Sequence, residues 1–271
     1  MIIYTGFLLL SSLTCMFLGL IVFQLHRKER INRFFAFTFF FASYWALTDF
    51  LMRNSTSTNE AYFWNRTSFL WPFAVALLFH FSLAFTKNKL LNYKARYAVI
   101  YAPAILLSIL DLTTGLVSGP IISEYLGFTY SVPSSPFFYM LGNIWGIILG
   151  VLSLFLCIRY YYRVDEKSNK KSIKLVAAGF AIPFIVNVAT TIIPPYFNVT
   201  VPPLGNISTM FVSIFVGYAI TKYYLFSLNP SLAAENIIDI MPDSLILTDN
   251  QGIILRVNQS LVELTSFSPE E

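Results

Sequence analysis

The sequence predicts an all-α membrane protein, a seven-transmembrane helix bundle followed by a truncated cytoplasmic α/β start. Three observations carry that prediction. Of 271 residues, 56% are apolar and 12% charged, about half the charged share of an ordinary soluble domain. Apolar stretches recur at close to the ~20 residues a helix needs to cross about 30 Å of hydrocarbon. Basic residues also collect in alternate linkers, as cytoplasmic loops do.

The predicted spans are residues 2–25, 31–51, 68–86, 97–117, 136–158, 174–193 and 203–226. The first stays as a span because it lacks the basic leader and small-residue exit of a signal peptide and exceeds its apolar core. With the N-terminus outside, the inner linkers and span ends hold fifteen of the 18 Lys and Arg. They are Arg27, Lys28, Arg30 and Arg33, then Lys87, Lys89, Lys94 and Arg96, then Arg159, Arg163, Lys167, Lys170, Lys171 and Lys174, and finally Lys222. The outer side keeps Arg53 and Arg66, and Arg256 follows the last span. Trp64 and Trp71 mark the outer interface, and Tyr160, Tyr161, Tyr162, Tyr223 and Tyr224 the inner one. This places the protein in the cell membrane as a multi-pass chain with a cytoplasmic C-terminus. The distribution also accounts for the net charge of +4, so nucleic acid is not implied as a partner.

Composition changes after Ser227. Residues 1–228 form the seven-span bundle, 229–241 a cytoplasmic linker helix and 242–271 a third segment. Asn229 suits the N-cap and Pro230 the first turn of the linker helix. Residues 244–249 and 253–258 read as two strands around a turn containing Gly252, and a helix begins near Gln259. Two strands alone bury too little surface for independent stability.

Ionisable groups inside spans are costly and therefore functional candidates. Asp49, His80 and Asp111 are the three. At ~1.5 Å per residue, Asp49 lies ~27 Å and Asp111 ~21 Å from the inner ends of their spans. Asn187 and Asn143 fall at similar depth, so these four polar groups form one layer in the outer half, as a ligand cavity open to the outside requires. Interhelical hydrogen bonding by the asparagines is the structural alternative. At Asp111's depth no Lys or Arg is expected as a partner. His80 lies toward the inner half, where a structural hydrogen bond is the simpler role. Cys15 and Cys157 both fall within spans and suggest neither a disulfide framework nor a metal site. No metal or cofactor is expected. Asn-x-Ser/Thr sequons at Asn54, Asn65, Asn198 and Asn206 would face outward or lie at the outer boundary.

Several enzyme classes are excluded. The last span's only lysine, Lys222, is at its inner end, which removes a retinal Schiff base. No Walker loop, nucleophile elbow, zinc signature or kinase loop occurs, so the chain itself is not expected to be an enzyme.

The stretch ENIIDIMPDSLILTDNQGIILRVNQSLVELTSFSPEE resembles the beginning of a PAS sensor domain through Met241-Pro242-Asp243, Asp249, Gly252, Asn258 and Ser268-Pro269-Glu270, with Ser266 where glycine is usual. Fewer than forty residues of a domain of about a hundred are present, which implies an incomplete PAS start. SYWALTDFL, LLFHFSLAFT and AAGFAIPFIVNVATTI, with Gly179, Pro183 and Asn187, resemble the seven-helix N-terminal input region of membrane histidine kinases. The resemblance implies a sensory input module of a two-component system. It would relay a small-molecule or membrane signal through Pro183 and Pro230 to a cytoplasmic output, as a homodimer in the lipid membrane. A small-molecule transporter or channel, or an input module for another output such as a cyclase, are the alternative readings.

The basic asymmetry makes a direct prediction. Reporter fusions after Ser57 should be external, and fusions after Asn169 and Glu271 internal. An external signal at Asn169 or Glu271 would contradict the orientation.

Overall fold

The structure, a computed structural model, describes residues 1–88, 95–164, 167–197, 199, 201–223, 225–226, 237–238 and 240–265. The chain divides into two units, Met1–Phe226 and Ser227–Glu271. In the first, long apolar runs form α1 (Ile2–Leu25), α2 (Arg30–Arg53), α3 (Thr58–Thr67), α4 (Trp71–Phe85) and α5 (Ala95–Thr113). A hairpin of β1 (Ile121–Glu124) and β2 (Gly127–Tyr130) follows, then α6 (Phe137–Arg163), α7 (Lys167–Asn187), α8 (Gly205–Ser208) and α9 (Met210–Tyr223).

Local chemistry explains the breaks. The Ser57 hydroxyl accepts from the Glu60 N–H at 3.3 Å, and the Glu60 carboxylate accepts from the Thr56 N–H at 2.8 Å, which together cap α3. A 3-10 turn at Ser68–Leu70 leads into α4, whose second residue is Pro72, in the first turn where a missing N–H costs nothing. α7 contains Pro183 and runs directly into a π-turn at Val188–Ile192. Proline withholds an N–H from the helix ladder, and π-turns relieve or exploit such faults.

Among the described residues, five helices are long and apolar enough to cross a bilayer: Ile2–Leu25, Arg30–Arg53, Thr58–Phe85, Phe137–Arg163 and Asn169–Phe197. Tyr97–Thr113 is a shorter apolar helix. The last stretch expected as a span is divided into α8 and α9, with Thr209 between them turning its hydroxyl onto the Asn206 carbonyl at 2.7 Å.

Six helices close a ring in the order α1, α2, α4, α6, α7, α9 and back to α1, and α5 lies outside it against α4. One half of the ring is filled. Val22, Phe35, Phe39, Phe81, Phe85, Cys157, Val176, Phe180 and Val216 form a buried cluster with members from every ring helix. Rings there pack offset or edge-on, with Phe35 to Phe39 at 4.4 Å and Phe35 to Phe81 at 5.2 Å. The opposite half is bound by small and polar contacts. Ser12 and Ser43 exchange hydroxyl-to-carbonyl bonds of 2.9 and 2.8 Å between α1 and α2. Ser11 donates to the Asn206 carbonyl at 2.7 Å, and Tyr4 to that of Pro203 at 2.6 Å. Large apolar side chains such as Phe17, Ile109, Phe155 and Ile185 point outward, as a lipid-facing surface requires.

The β1–β2 hairpin falls where the sequence predicts only a loop. It is antiparallel, with Ile121 opposite Tyr130 and Glu124 opposite Gly127. Gly127 has φ +95°, and the Arg53 carbonyl occupies the place a Cβ would take, so glycine lets the hairpin seat on the end of α2.

The second unit contains β3 (Ile246–Thr248), β4 (Ile254–Val257) and α10 (Gln259–Thr265), matching the strands and helix predicted there. One Asp249 carboxylate oxygen accepts from the N–H groups of Gln251 and Ile253, both at 2.9 Å, and Gly252 has φ +84°. Asn258 is fully buried and ties the unit together. Its oxygen accepts from the Leu245 N–H at 2.9 Å, while its amide donates to the Ile238 and Asp243 carbonyls at 3.1 and 2.8 Å. Pro230 and most of the expected linker helix lie outside the described residues, apart from Ile237, Ile238 and Ile240, which are helical.

Candidate functional site

The hollow half of the ring holds two adjoining chambers. The outer, of about 440 Å³, lies between the hairpin and the ends of α2 and α7, and is bordered by Asp49, Arg53, Glu124, Thr190 and Asn206 among others. The inner, of about 220 Å³, is bordered by Asp111 and Asn143 and by apolar walls from Phe39, Trp71, Phe180, Pro183 and Phe184. Trp45, Asn65, Ser68, Tyr130, Tyr139, Asn187, Thr191 and Asn206 border both. Four of the five ligand candidates therefore sit on one composite cavity: Asp49 on the outer part, Asp111 and Asn143 on the inner, and Asn187 between them.

His80 does not join them. It is buried between Phe34 and Tyr97 with Nδ1 2.8 Å from the Tyr101 hydroxyl, and it borders neither chamber.

Asp49 is held by an ion pair one helical turn away. Arg53 Nε donates to its Oδ1 at 2.9 Å, and the Asn206 amide donates to its Oδ2 at 3.1 Å. The Arg53 side chain is only 3% exposed, and its guanidinium lies 5.1 Å from the centre of the Tyr4 ring. This brings together α1, α2 and α8. Arg53 Nη1 has no partner among the described residues.

Asp111 is 2% exposed. Trp71 Nε1 donates to its Oδ2 at 3.1 Å, and the Ser118 hydroxyl to its Oδ1 at 2.5 Å. Ser118 in turn accepts from the Asn65 amide at 3.2 Å. The expectation that no cation shares this depth is corrected: Arg66 Nη1 donates to the backbone carbonyls of Asp111 and Thr114. The C-terminal end of α5 leaves carbonyls without helical partners, and a guanidinium satisfies two at once. Arg66 and Trp71 carried only a topological meaning in the sequence; their pairing with Asp111 is tertiary.

Asn143 Nδ2 is buried with no hydrogen-bond partner among the described residues. Asn187 is positioned by Gly205, whose missing side chain makes room for the asparagine carboxamide. Gly150 likewise makes room for Phe184. Pro183 borders the inner chamber, and the π-turn that follows presents Thr190 and Thr191 to the outer one. The Thr190 hydroxyl donates to the Val186 carbonyl at 2.7 Å and accepts from the Leu204 N–H at 3.0 Å. Tyr130, on the hairpin, roofs both chambers. Burial holds its phenol well above the ordinary tyrosine value, so it remains protonated.

A polar cavity thus lies inside a ring of apolar helices, one half of which is filled by a phenylalanine core. Residues 7–230 match the N-terminal 7TM region of histidine kinases, and the chain belongs to that family. Comparison with curated proteins returns no match. The membrane setting and the sensory-input class anticipated from the sequence thus hold.

The buried pair makes a quantitative prediction. Asp49→Ala strands the Arg53 charge and should cost about 3–5 kcal/mol, whereas Asp49→Ala with Arg53→Met should recover most of it. Thermal unfolding of the four proteins of this cycle in detergent is the measurement. A double variant that loses the sum of the two single variants' losses would mean the pair is not energetically coupled.

Proposed function

We propose that the chain is the sensory input module of a membrane histidine kinase, with seven spans, an external N-terminus and a cytoplasmic C-terminus. The observation that carries this reading is the two-chambered polar cavity in a chain of this family: a site open to occupation at one end of the ring and blocked at the other. The same blockage argues against a transporter or channel, because the Phe35, Phe81 and Phe180 cluster fills the route onward.

Occupation of the chambers would be felt most by α7. This helix supplies Pro183, Phe184 and Asn187 to the walls, and a proline followed by a π-turn gives it a point of bending. α7 packs along α9, the last helix before the C-terminal unit. A change in the tilt of α7 therefore moves α9, and through Pro230 the 242–271 segment, which in this reading begins a PAS domain. Two chains acting as a homodimer would convert that movement into kinase control. Coupling of this kind typically amounts to 1–3 kcal/mol.

Grafting tests the reading. The chain is joined in frame to the cytoplasmic part of a histidine kinase and reconstituted in liposomes. Asn187→Leu and Pro183→Ala should each shift steady-state phosphorylation by about fivefold or more, the low end of measured couplings. Phosphorylation that is the same with either variant as with the unaltered chain would contradict it.

A further inference from the structure

The hydrogen-bonding state of the cavity specifies the chemistry of what fills it. Asp49 and Asp111 are already bound, Asp49 by Arg53 and Asn206, Asp111 by Trp71 and Ser118. Three buried polar atoms of bordering residues have no partner among the described residues: Arg53 Nη1, Asn143 Nδ2 and Thr191 Oγ1. Two of the three are donors only, and the third can donate. A buried donor without an acceptor is costly, and a guanidinium donor most of all. The unmet demand of these three atoms is therefore for acceptors. Arg53 gives its Nε to Asp49 and keeps further N–H groups for a second acceptor, which its fork geometry permits.

Between the donors, the walls are aromatic and aliphatic: Trp45, Phe39, Trp71, Phe180 and Phe184. Glu124 stands half-buried on the outer chamber and opposes accumulation of negative charge there, which disfavours polyanions. The outer chamber is lined by hairpin residues Ile122, Thr129 and Tyr130 and by the segment after the π-turn, so the approach is from the aqueous side rather than from between lipid-facing helices.

We propose that the cavity binds a small dissolved amphiphilic monoacid. Its carboxylate meets Arg53 in the outer chamber, and its apolar body enters the inner one, where Asn143 takes a carbonyl or ether acceptor. This rests on the input-site reading and names the class of its signal.

The test is direct binding to the full chain in phosphatidylcholine nanodiscs, with dansyl-undecanoic acid, its methyl ester and the corresponding primary amine as fluorescent probes. The acid should bind saturably and about tenfold or more tighter than the ester or the amine, the scale of one charge-assisted hydrogen bond. Asp49→Asn with Arg53→Gln removes both charges together, so no buried charge is stranded, and should abolish the preference for acid over ester. Asn143→Leu, away from the ion pair, should weaken acid binding while leaving that preference intact. Amine binding as tight as acid binding, or acid preference surviving in the double variant, overturns the proposal. Displacement of the acid by phosphatidylglycerol in the disc would also overturn it, by assigning the site to a bilayer lipid. No kinase readout enters these measurements, so their failure is distinct from failure of the grafted kinase to respond.

Discussion

The Asp49–Arg53 pair constrains most of what surrounds it. Two charges at the end of an apolar helix, their side chains 3% and 13% exposed, are satisfied from several directions. Asn206 completes the carboxylate, Tyr4 lies under the guanidinium, and the carbonyl of Arg53 is the surface on which Gly127 seats the hairpin. One ion pair thus sets the relative positions of α1, α2, α8 and β2. Buried pairs of this sort contribute little net stability against an apolar replacement, yet they are expensive to break. Their effect is positional, and here the position is the wall of a cavity.

The ring behaves differently along its length for a packing reason. Phenylalanine rings fill the half that holds Val22 and Phe180, where the cluster residues are buried. In the other half, serine, glycine and threonine let the helices approach through hydrogen bonds, and Gly150 and Gly205 admit Phe184 and Asn187 where a methyl group would collide. The remaining space is lined by groups that sequence and burial leave partly unsatisfied. A structure selected only for stability would close that space with larger side chains or pair the orphan donors. α7, with Pro183 and its π-turn, joins the open half to the packed half and to α9.

Helix placement was largely legible in the sequence because hydrophobic length maps directly onto membrane thickness. Depth was legible too: the fixed rise of a helix put Asp49, Asp111, Asn143 and Asn187 in one layer, and all four border the composite cavity. Direction around each helix axis was not, since the helices are apolar on nearly every side and offer no polar face to orient them. For that reason the partners of Asp111 (Trp71, Ser118 and the nearby Arg66) could not be anticipated, nor could the role of Arg53. The hairpin escaped notice because IISE and GFTY are strands of four residues each without sustained alternation. The π-turn has no periodic signature at all. His80 was grouped with the candidates for being ionisable in a span, and its stacking against Phe34 and bond to Tyr101 show a local structural setting instead.

In the proposed orientation the hollow half of the bundle is reachable from the external side, while the other half is packed. Single cysteines introduced into a background lacking Cys15 and Cys157 measure this directly, using a membrane-impermeant thiol reagent applied from outside to right-side-out vesicles. Thr190→Cys and Asn143→Cys, on the outer and inner chambers, should be modified, and Val176→Cys, in the packed half, should remain unmodified. Equal modification at all three positions, or none at Thr190 and Asn143 with the protein folded, would contradict the account.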